Sequence, residues 1–462
     1  MTKLHFYKGL RTIGGTVVEI ETDKARCLFD FGLIFQNIWE DLREGREEVT
    51  LTDYLKLGIL PAVEGIYDEK ELKDYPLKPW RVEDKPVFFL ISHMHIDHME
   101  ALGFLAEDIP VFMTEDSFLL YGGLKETGEI SYRFKEGCIG LRENILYQIE
   151  DIHIRLLGTD HDVPGACGFE IRTDEGNIAY TGDLRLHGFH PEAALKFAKE
   201  VKGGDILITE GVTASFMEGE WEECQAESLP LNGMTSEDAL IEEIKEVLKE
   251  ETGITAINLY ERNIERAYNL LRELKKEGIR IVWEPLMAYY IHLFYPTETL
   301  YVYEPLLGEY GQGGLPDFLY MVPVTKEELQ EQTGSEKFLM QLFFKHTFYL
   351  LDLDYQNMLY IHSNGVPLGD YDPAYNKLMD FLERFHIRYQ YLGRGGHAYP
   401  GDLKYLLEEI SPKYLVPLHS LKPEKVKCRE GIRILPREGS VYLFNAHILK
   451  ELGQNENPVN EG

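Results

Sequence analysis

The chain has 462 residues, and at about 150 residues per domain this corresponds to roughly three domain-sized units with ample length for a large buried core. Apolar residues make up 44% and aromatics 12%, with no residue type dominating, which excludes collagen-like and wholly disordered classes. The 47 basic and 79 acidic side chains sum to −32, so casual phosphate binding is excluded, and a nucleic-acid partner would have to meet a basic groove within an acidic surface.

Five cysteines (Cys27, Cys138, Cys167, Cys224, Cys428) lie far apart and form no CxxC zinc module. An odd, scattered set suits reduced thiols in a cytoplasmic protein. Met1–Gly14 lacks an apolar signal core, and Val87–Ile91 and Leu286–Tyr295 are too short to span a bilayer, so no membrane partner is expected.

In chain order, short β-rich runs at Gly15–Glu21 and Arg26–Phe31 open the chain. Leu33–Pro86, with many charges and four prolines, reads as a long surface loop region with loosely helical pieces. Val87–Ile91 is a compact apolar strand running into SHMHIDHMEAL, where helical spacing resumes at Ala101, Leu102 and Leu105. Strands follow at Ile152–Leu157, Gly168–Thr173 and Asn177–Thr181, then a helix at Pro191–Lys202 and a strand at Asp205–Thr209. A different rhythm starts near residue 232. Thr235–x–x–Asp238 has the form of a capping box, Leu240, Ile241, Ile244, Val247 and Leu248 share one helical face, and strand, helix and strand at Ile254–Tyr260, Asn263–Lys276 and Ile279–Trp283 make a βαβ unit. A strand at Met358–His362, a helix over Asp372–Arg384 and strands at Ile387–Leu392 and Lys413–Leu418 read as the first domain resuming. No internal repeat or low-complexity tract is present.

Chemistry-bearing residues stand at the ends of the expected strands, where α/β proteins place their sites: Asp30 in LFDFG, His93–x–His95–x–Asp97–His98, His161, Asp183 in TGDLR, His397 in GGHA and His419 in PLHS. Alternate residues of an extended chain point the same way, so His93 and His95 can grip one ion while Asp97 and His98 face a second. His161 can complete the first site, Asp183 can bridge the two, and His419 can complete the second, leaving room for a bridging hydroxide. Two ions ~3.5–4 Å apart would stabilise both oxygens of an in-line displacement at phosphorus. Asp30 either caps a turn or orients a ligand from the outer shell.

With these residues the chain resembles the metallo-β-lactamase fold and, within it, the β-CASP nuclease family that includes RNase J and the endonuclease of mRNA 3′-end processing. Asp30 fits the first family motif, His93/His95/Asp97/His98 the second, His161 the third and Asp183 the fourth; Glu210 in ITEG, His397 and His419 fit the β-CASP motifs. The resemblance implies an α/β protein: an αββα metallo-β-lactamase sandwich with an inserted Rossmann-like β-CASP domain. The expected division is 1–231 and 371–450 for the sandwich, 232–370 for the insertion and 451–462 for a flexible tail. It implies a phosphodiesterase in which Asp97, Glu210 and His397 act in catalysis, His397 as general acid held by Glu210. A carboxylate beside an imidazole raises its pKa and fixes its tautomer. Histidine at the His419 position goes with RNA-processing members, valine with DNA-repair members.

Departures accompany the resemblance. The His-x-Ser-Gly-His segment usual in RNase J reads Gly393–Arg394–Gly395–Gly396–His397, so Arg394, with Ser363 and Asn364 of HSNG, is the expected replacement for the missing phosphate contacts. Arg262 and Asn263, opening a helix with Arg266, are further phosphate candidates. Few residues follow Val441–Phe444, so the C-terminal domain that RNase J uses for assembly is expected to be absent, and with it RNase J-like assembly. The resulting expectation is a ribonuclease using hydroxide activated by two divalent ions, zinc or manganese, on single-stranded RNA, with a second copy of the chain as a further candidate partner. The alternative, favoured by the charge of −32, is a dinuclear hydrolase of a small ester, lactone or phosphodiester.

Overall fold

The computed structural model describes residues 1–34, 49–130, 133–229, 231, 233–308, 320–332, 338–369 and 372–452. Two sheets form a sandwich. The first has eight strands, in the order Ile448–Glu451, Ser440–Asn445, Thr2–Lys8, Val17–Glu21, Arg26–Phe29, Val87–Leu90, Val111–Thr114 and Cys138–Leu141. The second has seven, in the order Ile432–Arg433, Tyr414–Pro417, Ile206–Thr209, Gly176–Tyr180, Cys167–Thr173, Ile152–Gly158 and Tyr147–Ile149. Alternation along Thr2–Lys8 and Ile152–Gly158 sends every second side chain inward. Leu4, Phe6, Ile20, Phe29 and Leu90 of one sheet thus meet Ile154, Leu156, Phe169, Ile178, Ile208 and Val416 of the other in one buried cluster.

Helices cover both outer faces. Pro191–Glu200 and Pro400–Ile410 place Ala194, Phe197, Leu403 and Leu407 on the second sheet, and Glu115–Thr127 places Leu120 and Leu124 on the first. This is the expected αββα layering.

The third sheet is wholly parallel, in the order Met321–Val324, Leu300–Tyr303, Arg280–Trp283, Phe338–Gln341, Thr255–Leu259, Leu359–Ser363 and Arg388–Tyr391. Its central strands are buried on both faces, which is why Thr255–Leu259 reads as a continuous apolar run rather than an alternating one. Helices Glu237–Glu250 and Ile264–Lys276 pack Leu240, Ile244, Leu270 and Leu274 on one face, and Pro373–Arg384 packs Leu378 and Leu382 on the other.

Four sequence expectations change. Arg388–Tyr391 pairs in parallel with Leu359–Ser363, so this strand and the helix before it belong to the third sheet, and the unit runs past residue 370 to about Tyr391. The cap of Glu237–Glu250 is Ser236, whose hydroxyl accepts from the Ala239 amide, rather than Thr235. The described part of the segment Leu33–Pro86 is not merely a surface loop: Leu51, Leu55, Leu60, Val63, Ile66 and Tyr67 enter the core. Residues 35–48 of that segment lie outside the described residues. Glu451 closes a strand, and residues 453–462 of the expected tail lie outside the described residues. The aromatic stretch Leu286–Tyr295 falls on the helix Pro285–Phe294, with Leu286, Met287 and Tyr290 in the core. Among the described residues, no helix is long and apolar enough to cross a membrane.

Candidate metal centre

The strands Arg26–Phe29 and Val87–Leu90 run parallel, so their C-terminal ends deliver Asp30 and the His93–His98 segment side by side. The second sheet presents His161, Asp183, Glu210 and His419 just beyond Ile152–Gly158, Gly176–Tyr180, Ile206–Thr209 and Tyr414–Pro417. All lie on one rim of the sandwich.

Asp183 is the centre. Its Oδ2 stands 3.6 Å from His93 Nε2, 3.2 Å from His98 Nε2, 3.6 Å from His419 Nε2 and 3.8 Å from His397 Nδ1. His161 Nε2 and His95 Nδ1 approach to 3.2 Å, the spacing of two nitrogens sharing one ion. Asp97 Oδ2 lies 3.6 Å from His98 Nε2 and 3.7 Å from His419 Nε2. Three groups therefore converge with donor atoms within 4.8 Å: His93, His95, His161 and Asp183; Asp97, His98 and His419; and Asp183, His397 and His419. His93 Nε2, His98 Nε2, His419 Nε2 and Asp183 Oδ1 are buried without a hydrogen-bond partner. Buried polar atoms are almost always satisfied, so this set of nitrogen and oxygen donors fits divalent ions. A further group, His5, Glu19 and Glu21, is internally engaged: Arg26 and Tyr7 donate to Glu19, and Lys85 donates to Glu21.

The surrounding shell orients the rings. Asp30, fully buried, accepts from the Ser92 amide at 2.8 Å, the Ser92 hydroxyl at 3.0 Å, His98 Nδ1 at 2.8 Å and the Tyr180 hydroxyl at 2.7 Å. With Nδ1–H committed to Asp30, His98 turns its Nε2 lone pair inward. His161 Nδ1 donates to the Gly396 carbonyl at 2.5 Å, with the same effect. A Cβ at Gly396 would come within 2.7 Å of both Asp162 Oδ1 and His161 Cε1, so glycine here lets these two side chains keep their positions. His419 differs. Its Nδ1 accepts the Gly14 amide at 3.2 Å, which in a neutral ring leaves the proton on Nε2. Gly14, at φ 83°, is glycine by necessity, since a Cβ would lie 2.4 Å from that of Asp97.

Electrostatics follow the same plan. Burial pushes His93 well below its ordinary value, with the charge of His98 adding to it, and brings His161 down to about 3. His98 goes the other way, because Asp183, Asp97 and Asp30 together outweigh its burial. Asp183 is held well below the carboxylate range: burial opposes this, but His419, His98 and His397 prevail. His397 donates from Nδ1 to Glu210 Oε2 at 3.0 Å and keeps 24% of its side-chain surface exposed. Glu210 and Asp183 overcome its burial and raise it to about 10.

The proposed phosphate contacts are arranged differently. Arg394 donates to the Thr235, Met234 and Gly393 carbonyls and to Glu243, so its guanidinium braces the chain. The side chain expected to replace the lost phosphate contacts is thus engaged with the chain's own carbonyls and Glu243. Ser363 and Asn364 both accept from Arg266. Arg262 donates to the carbonyl of Met94, between two of the histidines, and Asn263 caps its helix; Arg262 Nε and Asn263 Nδ2 are buried without a partner.

No family model matches the chain. Ribonuclease J of Mycoplasma genitalium is 23% identical over 437 residues, covering 90% of this chain and 68% of that enzyme. The chain is similar to this ribonuclease J over most of its length. The Helicobacter pylori (strain B128) ribonuclease J is 21% identical over 89% of the chain and 55% of its own length, so the chain spans little more than half to two thirds of these enzymes. RNase aCSPSF2 of Saccharolobus solfataricus is 27% identical over 174 residues, 32% of the chain. Among solved structures, a protein of unknown function from Enterococcus faecalis V583 superposes with a TM-score of 0.80 at 28% identity, covering 97% of this chain and 99% of that one.

Sequence reasoning missed Asp162, whose buried Oδ1 lies 3.3 Å from His95 Nε2 and 3.4 Å from His161 Nε2. Its adjacency to His161 was the available signal. Tyr180 and Ser92, which anchor Asp30, and Tyr260, whose ring meets His95 edge-on at 5.3 Å, carried none.

Proposed function

We propose that the chain is a metal-dependent ribonuclease of the β-CASP type, acting on single-stranded RNA. The observation that carries this reading is His397 seated on Glu210 at 3.0 Å and beside Asp183 at 3.8 Å, a proton-donating pair at the edge of a cluster whose donor atoms fit two ions. Small-substrate hydrolysis with a good leaving group has no need of such a donor.

His93, His95, His161 and Asp183 would hold one divalent ion, and Asp97, His98, His419 and Asp183 the other, zinc or manganese on the basis of the donor set. Bound there, the ions would activate water and neutralise charge gathering on the phosphate. Asp183 presents one carboxylate to both pockets. Glu210 takes the Nδ1–H of His397, so the proton to be transferred sits on Nε2, free to meet the departing ribose oxygen. Asp97, the most exposed of the cluster's carboxylates at 15%, would receive the proton of the attacking water. Arg262 and Asn263 are the remaining candidates for phosphate contact, through the nitrogens that lack partners.

The test is cleavage of 3′-labelled single-stranded RNA by metal-loaded protein, with His397→Ala as control. Metal-dependent cleavage that His397→Ala loses is expected, and early mononucleotides or discrete fragments would separate exonucleolytic from endonucleolytic action. No cleavage with either 5′-phosphate or 5′-hydroxyl ends would shift the reading to the small-substrate hydrolase, which the charge of −32 favours.

A further inference from the structure

Behind the metal centre lies a charged cluster with almost no solvent contact. Glu237, at the start of a third-sheet helix, accepts from Arg185 Nη1 at 2.8 Å and from Arg266 Nε and Nη2 at 2.8 and 2.6 Å. The three side chains are 0–1% exposed. Arg185 sits two residues after Asp183 on the sandwich, whereas Glu237 and Arg266 belong to the third-sheet helices.

Both guanidinium groups also reach one short segment, besides Asp160, Ser363 and Asn364. Arg185 Nη1 donates to the Gly395 carbonyl at 3.0 Å, and Nη2 to the His161 carbonyl at 3.1 Å. Arg266 Nη2 donates to the Arg394 carbonyl at 2.7 Å. His187 Nε2 adds a bond to Gly395 at 2.8 Å, His161 Nδ1 holds Gly396, and Arg394 itself holds Gly393. Each carbonyl from Gly393 to Gly396 thus has a side-chain donor, in a stretch rich in glycine that would otherwise have wide backbone freedom. His397 follows directly.

Burying this many charges is costly unless each is paired and hydrogen-bonded, and it is weak as a source of stability. We propose that the Arg185–Glu237–Arg266 triad is a positioning device, which ties the third-sheet unit to the sandwich and fixes the Gly393–Gly396 segment so that His397 stays registered on Glu210 and Asp183. Glu237 is its hub, since its two oxygens orient both guanidinium forks. The triad acts on the proton donor and touches the ion-binding set only through His161, whose carbonyl accepts from Arg185 and whose ring is held by the Gly396 carbonyl.

This inference rests on the ribonuclease reading, and the experiment separates the two. Metal-loaded wild type and Glu237→Gln are compared on single-stranded RNA, whose leaving oxygen needs a proton, and on bis(p-nitrophenyl) phosphate, whose leaving group does not. Glu237→Gln should lose RNA cleavage by on the order of 10²-fold, the scale of general acid catalysis, keep near wild-type hydrolysis of the activated ester, and bind the same number of ions. Equal loss on both substrates, or no loss on RNA, would overturn the proposal. Arg185→Lys, which keeps the charge but not the planar fork, stands in if Glu237→Gln does not fold. If wild type cleaves no RNA, the ribonuclease reading fails; the triad is then judged by amide exchange over residues 393–398, which should quicken in either variant and which, if unchanged, overturns it.

Discussion

The two halves of the candidate metal centre are built from similar donors but are prepared differently. In the first, His161 is turned by the Gly396 carbonyl, and Ser92 Oγ stands 2.9 Å from Nδ1 of His93, so the Nε2 atoms of both rings face Asp183 and its neighbours. In the second, Asp30 orients His98 in the same way, but the Gly14 amide occupies the His419 Nδ1 lone pair. For His419 to offer Nε2 to an ion, that bond has to yield. A donor set alone does not define a site; the atoms behind each ring decide how much rearrangement binding requires. Hence the first pocket should fill before the second.

The largest effect that tests this comparison is loss of the shared residue. Asp183→Ala should abolish tight binding of both ions and reduce turnover to background, as checked by metal content after dialysis and by RNA cleavage. Next, His161→Ala should remove the tighter of two binding steps in a calorimetric titration, whereas His419→Ala should remove only the weaker one; identical titrations for the two variants would break the distinction. Asp30→Asn should weaken the second step by about 10–100-fold, the range found when outer partners of metal-bound histidines are removed, and should spare the first. A control away from both pockets is His190, whose hydrogen bond to the Glu265 carboxylate raises it to about 9. Its folded value lies above the ordinary 6.5, so the pair's contribution is complete below pH 6.5 and is lost as the pH rises through about 9. The side chain is 58% exposed, so His190→Ala should cost less than about 1 kcal/mol in urea unfolding at pH 6, and less still at pH 10, with no change in either metal step.

How far the sequence could be read follows from the range of the signals. The HxHxDH segment is legible because alternation in an extended chain is local, and sandwich strands announce themselves by inward alternation, as in Ile152–Leu157. Strand pairing is non-local: Ile387–Leu392 was recognisable as a strand, but nothing in its residues says that it completes the third sheet beside Leu359–Ser363. The partners of Arg394 were illegible for a related reason. Three residues before His397, it is a natural phosphate ligand by adjacency, yet its side chain reaches Glu243 and the carbonyls that precede the Glu237–Glu250 helix. Glu237 looks like an ordinary first-turn acid that favours a helix N-terminus, and only the tertiary structure shows it clasped between Arg185 and Arg266.

The most direct test of the account is RNA cleavage measured against equivalents of added metal, starting from metal-free protein. Two unequal pockets joined by Asp183 predict a rate that stays near background through the first equivalent and rises with the second. Full cleavage at one equivalent, or none at saturating metal, would contradict it.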